Sequence, residues 1–401
     1  MTRASWRVAA WDNSVDLTGS FLAIRREGAF CVTSPGHNRP VGISLSIYGG
    51  NTILLQRTLD MIQPLDTVAM EAVQYRLDSL TKPQGSLGRL EDMIRQYAGI
   101  TGRSRPPDPK HCIVIACADH GVARRVVSAY PLETTAQMTA NYVQAKGASA
   151  NAFANFCNAG LVVVDVGVAA DLSHIAGLWH RKIAWGTADV TAGPAMSRSQ
   201  AVTALETGIA IVAAQVSQGY NCFGLGEMGI GNTTISAAIT AAFTGMSPEE
   251  VTGRGTGISD ARLTVKIGAV RQALAINRPD ISNGIDVLAK IGGFEIGTLA
   301  GVVLGAAAYR CPAIIDGLNT TAAALIACAI HPGIAAYLLP SHLSGEPAHG
   351  AALKWLHLDH CMDMHIRLGE GVGAAVAMNL LTVAVKTLHR MATFADAGVS
   401  R

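Results

Sequence analysis

From Leu55 to Gly102 the apolar residues recur at helical steps. Leu65, Ala69, Ala72, Val73, Leu77 and Leu80 mark one face of a helix. Pro83 and Gly85 interrupt that pattern, and Ser86 stands where it can cap a second helix with apolar residues Leu87, Leu90, Met93 and Ile94. The pattern then changes. Cys112 to Ala118 is a continuous apolar run that ends in Asp119, His120 and Gly121. Leu161 to Val164 ends in Asp165, and Ala313 to Ile315 ends in Asp316 and Gly317. Short apolar runs closed by polar residues and glycine read as buried parallel strands whose C-terminal ends face a ligand. Alanine-rich helical stretches lie between them, over residues 135–156, 199–218, 233–244, 296–309 and 321–329, with a last helix over 373–388. This alternation predicts an α/β fold with a mostly parallel sheet and flanking helices.

Before residue 55 no period is sustained. Arg, Gly, Ser and Pro are scattered around Trp6, Trp11 and Phe21, and no charged start is followed by a long apolar core of the kind a signal peptide carries. Residues 1–54 are expected to be a poorly ordered extension, or sequence upstream of the true start.

Composition narrows the function class. With 49% hydrophobic and 15% charged residues over 401 positions, the chain has ample material for a buried core. A formal net charge of +2 and 5% aromatics give no basic patch and no stacking platform, so neither nucleic acid nor an anionic membrane is expected as a partner. Most of the cysteines sit in apolar surroundings with no C-x-x-C spacing, as reduced core thiols of a cytosolic protein would. Two apolar runs, Met228 to Pro248 and Thr320 to Leu339, approach membrane-spanning length, but polar residues and His331-Pro332-Gly333 mark them as buried helices with loops.

Several stretches could carry chemistry. Gly224 to Thr234 is the richest: it follows a short strand over 221–223, opens a helix, and its first six residues match G-x-G-x-x-G. Glu227 would set a negative charge beside a pyrophosphate, so a cradle for one phosphate, using amides with Asn232 and Thr233, reads better than a dinucleotide site. Gly253 to Ser259 with Lys266 beyond it, and Pro340 to Glu346, are further loops able to bind an anion. His357, His360, Cys361, Asp363 and His365 look like metal ligands, but their spacing fits no zinc pattern, and they read as surface polar residues. Near the C-terminus Glu370 stands between Gly369 and Gly371, just before apolar helix formers. A glutamate held against apolar neighbours has its charged form disfavoured and can serve as a base near neutral pH, although the same pattern also suits a plain helix start.

Taken together and in order, these blocks resemble the nicotinate-nucleotide–dimethylbenzimidazole phosphoribosyltransferase family. The resemblance runs from Leu55 to Phe394. It rests on Leu80 to Glu91, Ala118 to Val122, Asp165 to Val168, Gly226 to Thr234, Lys290 to Glu295, Asp316-Gly317, Ser341 to Glu346 and Arg367 to Ala375. It implies transfer of phosphoribose from nicotinate mononucleotide to 5,6-dimethylbenzimidazole, with inversion at the anomeric carbon. The products would be α-ribazole 5′-phosphate and nicotinate, and neither cofactor nor metal is implied. Carried over residue by residue, Glu370 would be the general base and Glu227 would lie near the developing sugar cation. Gly229, Asn232, Thr233, Lys266, Ser344 and Gly345 would hold the nucleotide, and Tyr130, Met138 and Leu368 would line the base pocket.

The family pattern also implies a small helical domain built from both chain ends, over 55–100 and 374–401, around a phosphoribosyltransferase domain over 101–373. It implies a cytoplasmic homodimer. Two departures bear on base preference: Val372 stands where a hydroxyl is common, and Ala123-Arg124-Arg125 replaces an acidic stretch before Tyr130. Other readings compatible with the residues are the same reaction on adenine, phenol or another benzimidazole, a non-catalytic nucleotide-binding relative, and a purine-type nucleoside phosphorylase.

Overall fold

The computed structural model describes residues 24–26, 29–31 and 53–400. The expectation of a poorly ordered extension over 1–54 falls largely outside them. The chain forms two units, Met1–Leu54 and Leu55–Arg401. Within the first, β1 (Ile24–Arg26) pairs antiparallel with β2 (Ala29–Cys31).

The second unit is built on a six-stranded sheet. Its strands are β3 (His111–Ala118), β4 (Gly160–Gly167), β5 (Trp179–His180), β6 (Cys222–Met228), β7 (Ala313–Ile315) and β8 (Leu338–Pro340). They lie in the order β5-β4-β3-β6-β7-β8, and every pairing is parallel. The chain therefore starts at the middle of the sheet, winds outward to β5, returns to the centre at β6 and winds outward the other way. Where the winding reverses, between β3 and β6, the two connections leave in opposite directions and open a crevice at the carboxyl ends of the strands. All of β3 is buried, as its unbroken apolar run requires.

Three strands coincide with the apolar runs of the sequence, but β6 is longer than expected. It continues through Gly224 and Gly226 to Met228, so the loop begins only at Gly229. A side chain at Gly224 would meet Met378, and one at Gly226 would meet the backbone of Glu370 at 2.9 Å. Glycine inside this strand marks close approach by another segment rather than a turn.

The expected helix over 135–156 is also corrected. It is three pieces: Glu133–Ala140, a π-helical turn over Asn141–Ala145, and Ser149–Phe156. Lys146 takes a left-handed conformation (φ 52°), and the Asn141 side chain accepts a hydrogen bond from the Gly147 amide at 3.2 Å. The break creates a new helix N-terminus at the middle of the fold. Ser86 does not cap the second terminal helix, which begins at Arg89 behind Gly88. Glu91 closes that turn instead, accepting from the Leu87 amide at 3.0 Å and pairing with buried Lys82 at 2.8 Å.

Helices Thr67–Ser79 and Arg89–Thr101 pack against Val372–Arg390 through Val73, Leu77, Ile94, Tyr97, Leu381, Val385 and Leu388. By length and composition Val372–Arg390 could cross a membrane, but most of it is buried inside the fold. On the sheet, helix Phe294–Ala308 is buried along its whole length and crosses Arg198–Ser217 at glycine. A methyl group at Gly208 would collide with the Thr298 carbonyl oxygen, and one at Gly301 with that of Leu205.

This crossing gives a stability test. Gly208→Val should destabilise the protein by about 1–3 kcal/mol through overpacking, read as a lower urea midpoint. Gly268, in helix Asp260–Asn277, has open space around it, so Gly268→Ala should stabilise by roughly 0.5–1 kcal/mol. Equal effects of the two substitutions would contradict the close crossing.

Candidate active site

A cleft of about 470 Å³ opens where the sheet winding reverses, over the ends of β6, β7 and β8. Nine of the residues singled out from sequence line it: Tyr130, Met138, Glu227, Gly229, Asn232, Thr233, Ser344, Leu368 and Glu370. Two do not. Lys266 is buried behind Thr233, its Nζ donating to Thr233 Oγ1 at 2.8 Å and to the Gly253 carbonyl at 3.0 Å. Gly345 lies beside the cleft, and its amide donates to the Ile366 carbonyl at 3.3 Å.

Glu370 is positioned by an unusual backbone. Gly369, Glu370 and Gly371 have φ values of 87°, 63° and 75°, three left-handed residues in succession. Glycine adopts this region freely, whereas a glutamate there is strained by roughly 1–2 kcal/mol. The turn carries the Glu370 carboxyl to the helix N-terminus made by the break at Lys146. There its Oε2 accepts from the Ala150 amide at 3.1 Å, and the buried Tyr142 stands next to it. Burial raises the Glu370 pKa, while the Ala150 amide and Tyr142 hold it back. The result is a carboxyl with a fixed direction, elevated basicity and one side open to the cleft. Val372 begins the next helix, is buried, and does not line the cleft.

Glu227, at the end of β6, accepts from Asn319 Nδ2 at 3.0 Å on one oxygen and from Asn232 Nδ2 on the other. Burial, together with the charges of Glu295, Asp316 and Glu370, lifts its pKa to about 8 despite the Asn319 hydrogen bond. Gly369 passes so close to the Glu227 carboxyl that a Cβ there would overlap it. The two carboxyls are thus brought together by one glycine-lined contact.

Asp316, after β7, is fully buried and accepts from the Ala374 amide at 3.0 Å, at the start of Val372–Arg390. That helix has no side-chain cap of its own, so Asp316 secures the N-terminus beside Glu370. Burial raises Asp316 to about 7. Beneath Gly229 lies a further buried pair, His120 Nε2 to Glu295 Oε1 at 2.8 Å. Burial alone would lower the His120 pKa, but the Glu295 charge reverses the shift. This pair accounts for the blocks around Ala118 and Lys290, which do not reach the cleft themselves.

The opposite wall suits an anion. Helix Asn232–Thr244 starts at the cleft behind Gly231 (φ 97°) with no side-chain cap, so the positive end of its dipole is presented there. Lys266 adds a cation behind Thr233, its pKa lowered by burial to about 8. Loop 126–130 is tied to the Gly253–Gly257 loop, where Thr256 Oγ1 accepts from the Ala129 amide at 2.9 Å, and to helix Asp260–Asn277, whose Arg262 donates to the Ser128 carbonyl at 3.0 Å. Tyr130 and Leu368 stand at the mouth, 58% and 53% exposed, with Met138 between apolar neighbours inside.

Sequence reasoning missed Asn319 and the Ala150 amide. Asn319 follows Asp316-Gly317 by two residues and could have been picked out with that block. Ala150 carried no signal, because its role depends on a helix break that the alanine-rich pattern hides. Of the metal-like cluster, His365 and Asp363 are exposed and 3.6 Å apart, whereas Cys361 turns inward toward the Pro340 carbonyl. Among the described residues no three His, Cys, Asp or Glu side chains converge as metal ligands.

Comparison with known proteins agrees with this picture. A family model described as Phosphoribosyltransferase matches residues 62–399. A nicotinate-nucleotide–dimethylbenzimidazole phosphoribosyltransferase of Roseiflexus sp. (strain RS-1) is 51% identical over 347 residues, 86% of this chain and 98% of the relative. The protein of that name from Desulforudis audaxviator (strain MP104C) is 48% identical over 348 residues, 87% of this chain and 98% of the relative. Among solved structures, CobT from Thermus thermophilus superposes with a TM-score of 0.80 at 41% identity, covering 83% of this chain and 99% of that one.

The raised carboxyl pKa values make stability depend on pH with a definite sign. Glu227 ionises near pH 8 in the folded protein, against about 4.3 in an unfolded chain. Its contribution is fully present below the unfolded value and is lost as pH rises through about 8, because only the unfolded state releases the proton early. The urea midpoint should therefore fall between pH 5 and pH 9, and Glu227→Gln should flatten that fall, leaving the smaller part due to Asp316 and Glu370. Identical slopes for the two proteins would show that Glu227 is not held protonated.

Proposed function

The chain belongs to the nicotinate-nucleotide–dimethylbenzimidazole phosphoribosyltransferase family, and on that premise we propose that it transfers phosphoribose from nicotinate mononucleotide to 5,6-dimethylbenzimidazole, inverting C1′ and releasing nicotinate. The observation that carries this reading is the pairing of Glu370 and Glu227, two buried carboxyls with raised pKa values, in one cleft opposite an uncapped helix N-terminus.

The chemistry asks for little more. The benzimidazole nitrogen attacks C1′, a new C–N bond forms, and the C1′–pyridine bond breaks with its electron pair going to the nicotinate nitrogen. That nitrogen is cationic before the step and neutral after it, so its departure needs no acid. The proton to be removed is the benzimidazole N–H, and Glu370 is the base assigned to it. Glu227 is assigned to the sugar: the cationic pyridinium and the developing ribosyl cation favour its ionised form, which in turn stabilises them.

Asn232, Thr233 and Gly229 take the phosphoribosyl group at the helix N-terminus, with Ser344 across the cleft. Lys266 acts from behind through Thr233, and Gly345 through the course of its loop. Tyr130, Met138 and Leu368 take the flat base. The exposure of Tyr130 and Leu368 leaves the base side open, which favours tolerance of other flat bases such as adenine or substituted benzimidazoles.

By the same reading, residues 55–100 and 374–401 are the small helical domain, residues 101–373 the transferase domain, and the protein works as a cytoplasmic homodimer. Glu370→Gln should lower kcat by about 10²–10⁴ while leaving nicotinate mononucleotide binding intact by calorimetry. Full activity in that variant would show that Glu370 is not the base.

A further inference from the structure

The imidazole of His349 is fully buried on helix Pro347–Trp355, outside the cleft lining. Its Nδ1 lies 2.8 Å from the Ser344 amide. Its Nε2 lies 2.9 Å from Thr321 Oγ1. Thr321 Oγ1 in turn donates to the Gly317 carbonyl at 2.9 Å.

These contacts fix the tautomer. A backbone amide can only donate, so Nδ1 must be bare and the ring proton must sit on Nε2. Nε2 then donates to Thr321, whose own proton goes to Gly317, and the chain closes with every group satisfied. Burial lowers the His349 pKa to about 3, so the ring stays neutral over the working range.

We propose that His349 is a positioning residue: it engages the Ser344 amide and thereby turns the Ser344 hydroxyl, rather than its N–H, toward the phosphate of the bound nucleotide. The proposal rests on the reading above that Ser344 belongs to the nucleotide side.

Two observations support this arrangement. Ser344 lines the cleft, and its side chain packs over Gly317, with both Cβ and Oγ at 3.7 Å from where a Gly317 Cβ would stand. Its Oγ accepts only a long contact from the Glu346 amide, at 3.4 Å. Among the described residues no acceptor takes the hydroxyl proton, so it is free to donate to an anion. His349 thus ties together the loops that follow β7 and β8, through Gly317 and Ser344.

The test compares steady-state kinetics of His349→Leu, His349→Asn and Ser344→Ala. His349→Leu leaves the Ser344 amide without its acceptor and should raise KM for nicotinate mononucleotide by about tenfold, with kcat changed less than about twofold. His349→Asn, whose side-chain carbonyl reaches the place of Nδ1, should restore most of the affinity. In a Ser344→Ala background His349→Leu should add little.

If Ser344→Ala raises KM and His349→Leu does not, the His349 proposal is overturned while the nucleotide loop stands. An unchanged KM in Ser344→Ala would instead overturn the assignment of the loop, and the proposal with it. Nitrogen NMR of the intact protein provides a reading independent of variants: the ring should carry its proton on Nε2 from pH 5 to pH 9. A proton on Nδ1, or a charged ring, would overturn the proposal.

Discussion

Two backbones that must almost touch govern the architecture of the site. The turn Gly369–Gly371 lies against the end of β6, where a Cβ at Gly226 would sit 2.9 Å from the Glu370 carbonyl carbon and one at Gly369 would overlap the Glu227 carboxyl. Only glycine permits this approach, and only glycine takes the left-handed conformation on both sides of Glu370 without strain. The contact places the two carboxyls in one cleft and buries most of each, leaving only the cleft side open. Their raised pKa values, and the strain stored at Glu370, follow from it. Asp316 secures the far side of the turn through the Ala374 amide, so Glu370 is held from behind as well as from below.

The doubly wound sheet decides where this contact occurs. Because the chain begins at β3 and returns to β6, the carboxyl ends of neighbouring strands are left uncovered by their own connections. The buried ionisable groups cluster at that edge: Glu227 ends β6, Asp316 follows β7, and His120 with Glu295 sits below Gly229. Burying so many carboxyls costs stability, most strongly at high pH. The fold offsets this through a core in which β3, helix Phe294–Ala308 and helix Leu318–Ile330 are buried almost throughout. On the proposed function, activity and stability therefore pull against each other at the same residues.

Much of this was legible in the sequence. Apolar runs closed by Asp and Gly located β3, β4 and β7, and the order of the blocks identified the family. The cleft residues were named by the family resemblance, carried on the glycine-rich and polar loops around Glu227, Ser344 and Glu370; of the polar ends of those three strands only Gly317 lines the cleft. What stayed hidden depends on contacts made after folding. Gly224 and Gly226 look like a loop, yet they lie inside a central strand because Met378 and Glu370 press on it. The helix break at Lys146, which supplies the Ala150 amide to Glu370, leaves no mark in a run of alanines. Lys266 reads as a residue that touches substrate, but it is enclosed behind Thr233.

The central claim is that Glu370 is held, before any substrate binds, as a carboxyl more basic than usual and with one side open. Its titration in the resting protein tests this most directly, by infrared difference spectroscopy of the protonated carboxyl band between the native chain and Glu370→Gln. The account predicts that the band assigned to Glu370 disappears only above the ordinary glutamate pKa of about 4.3. Ionisation at or below that value would contradict it.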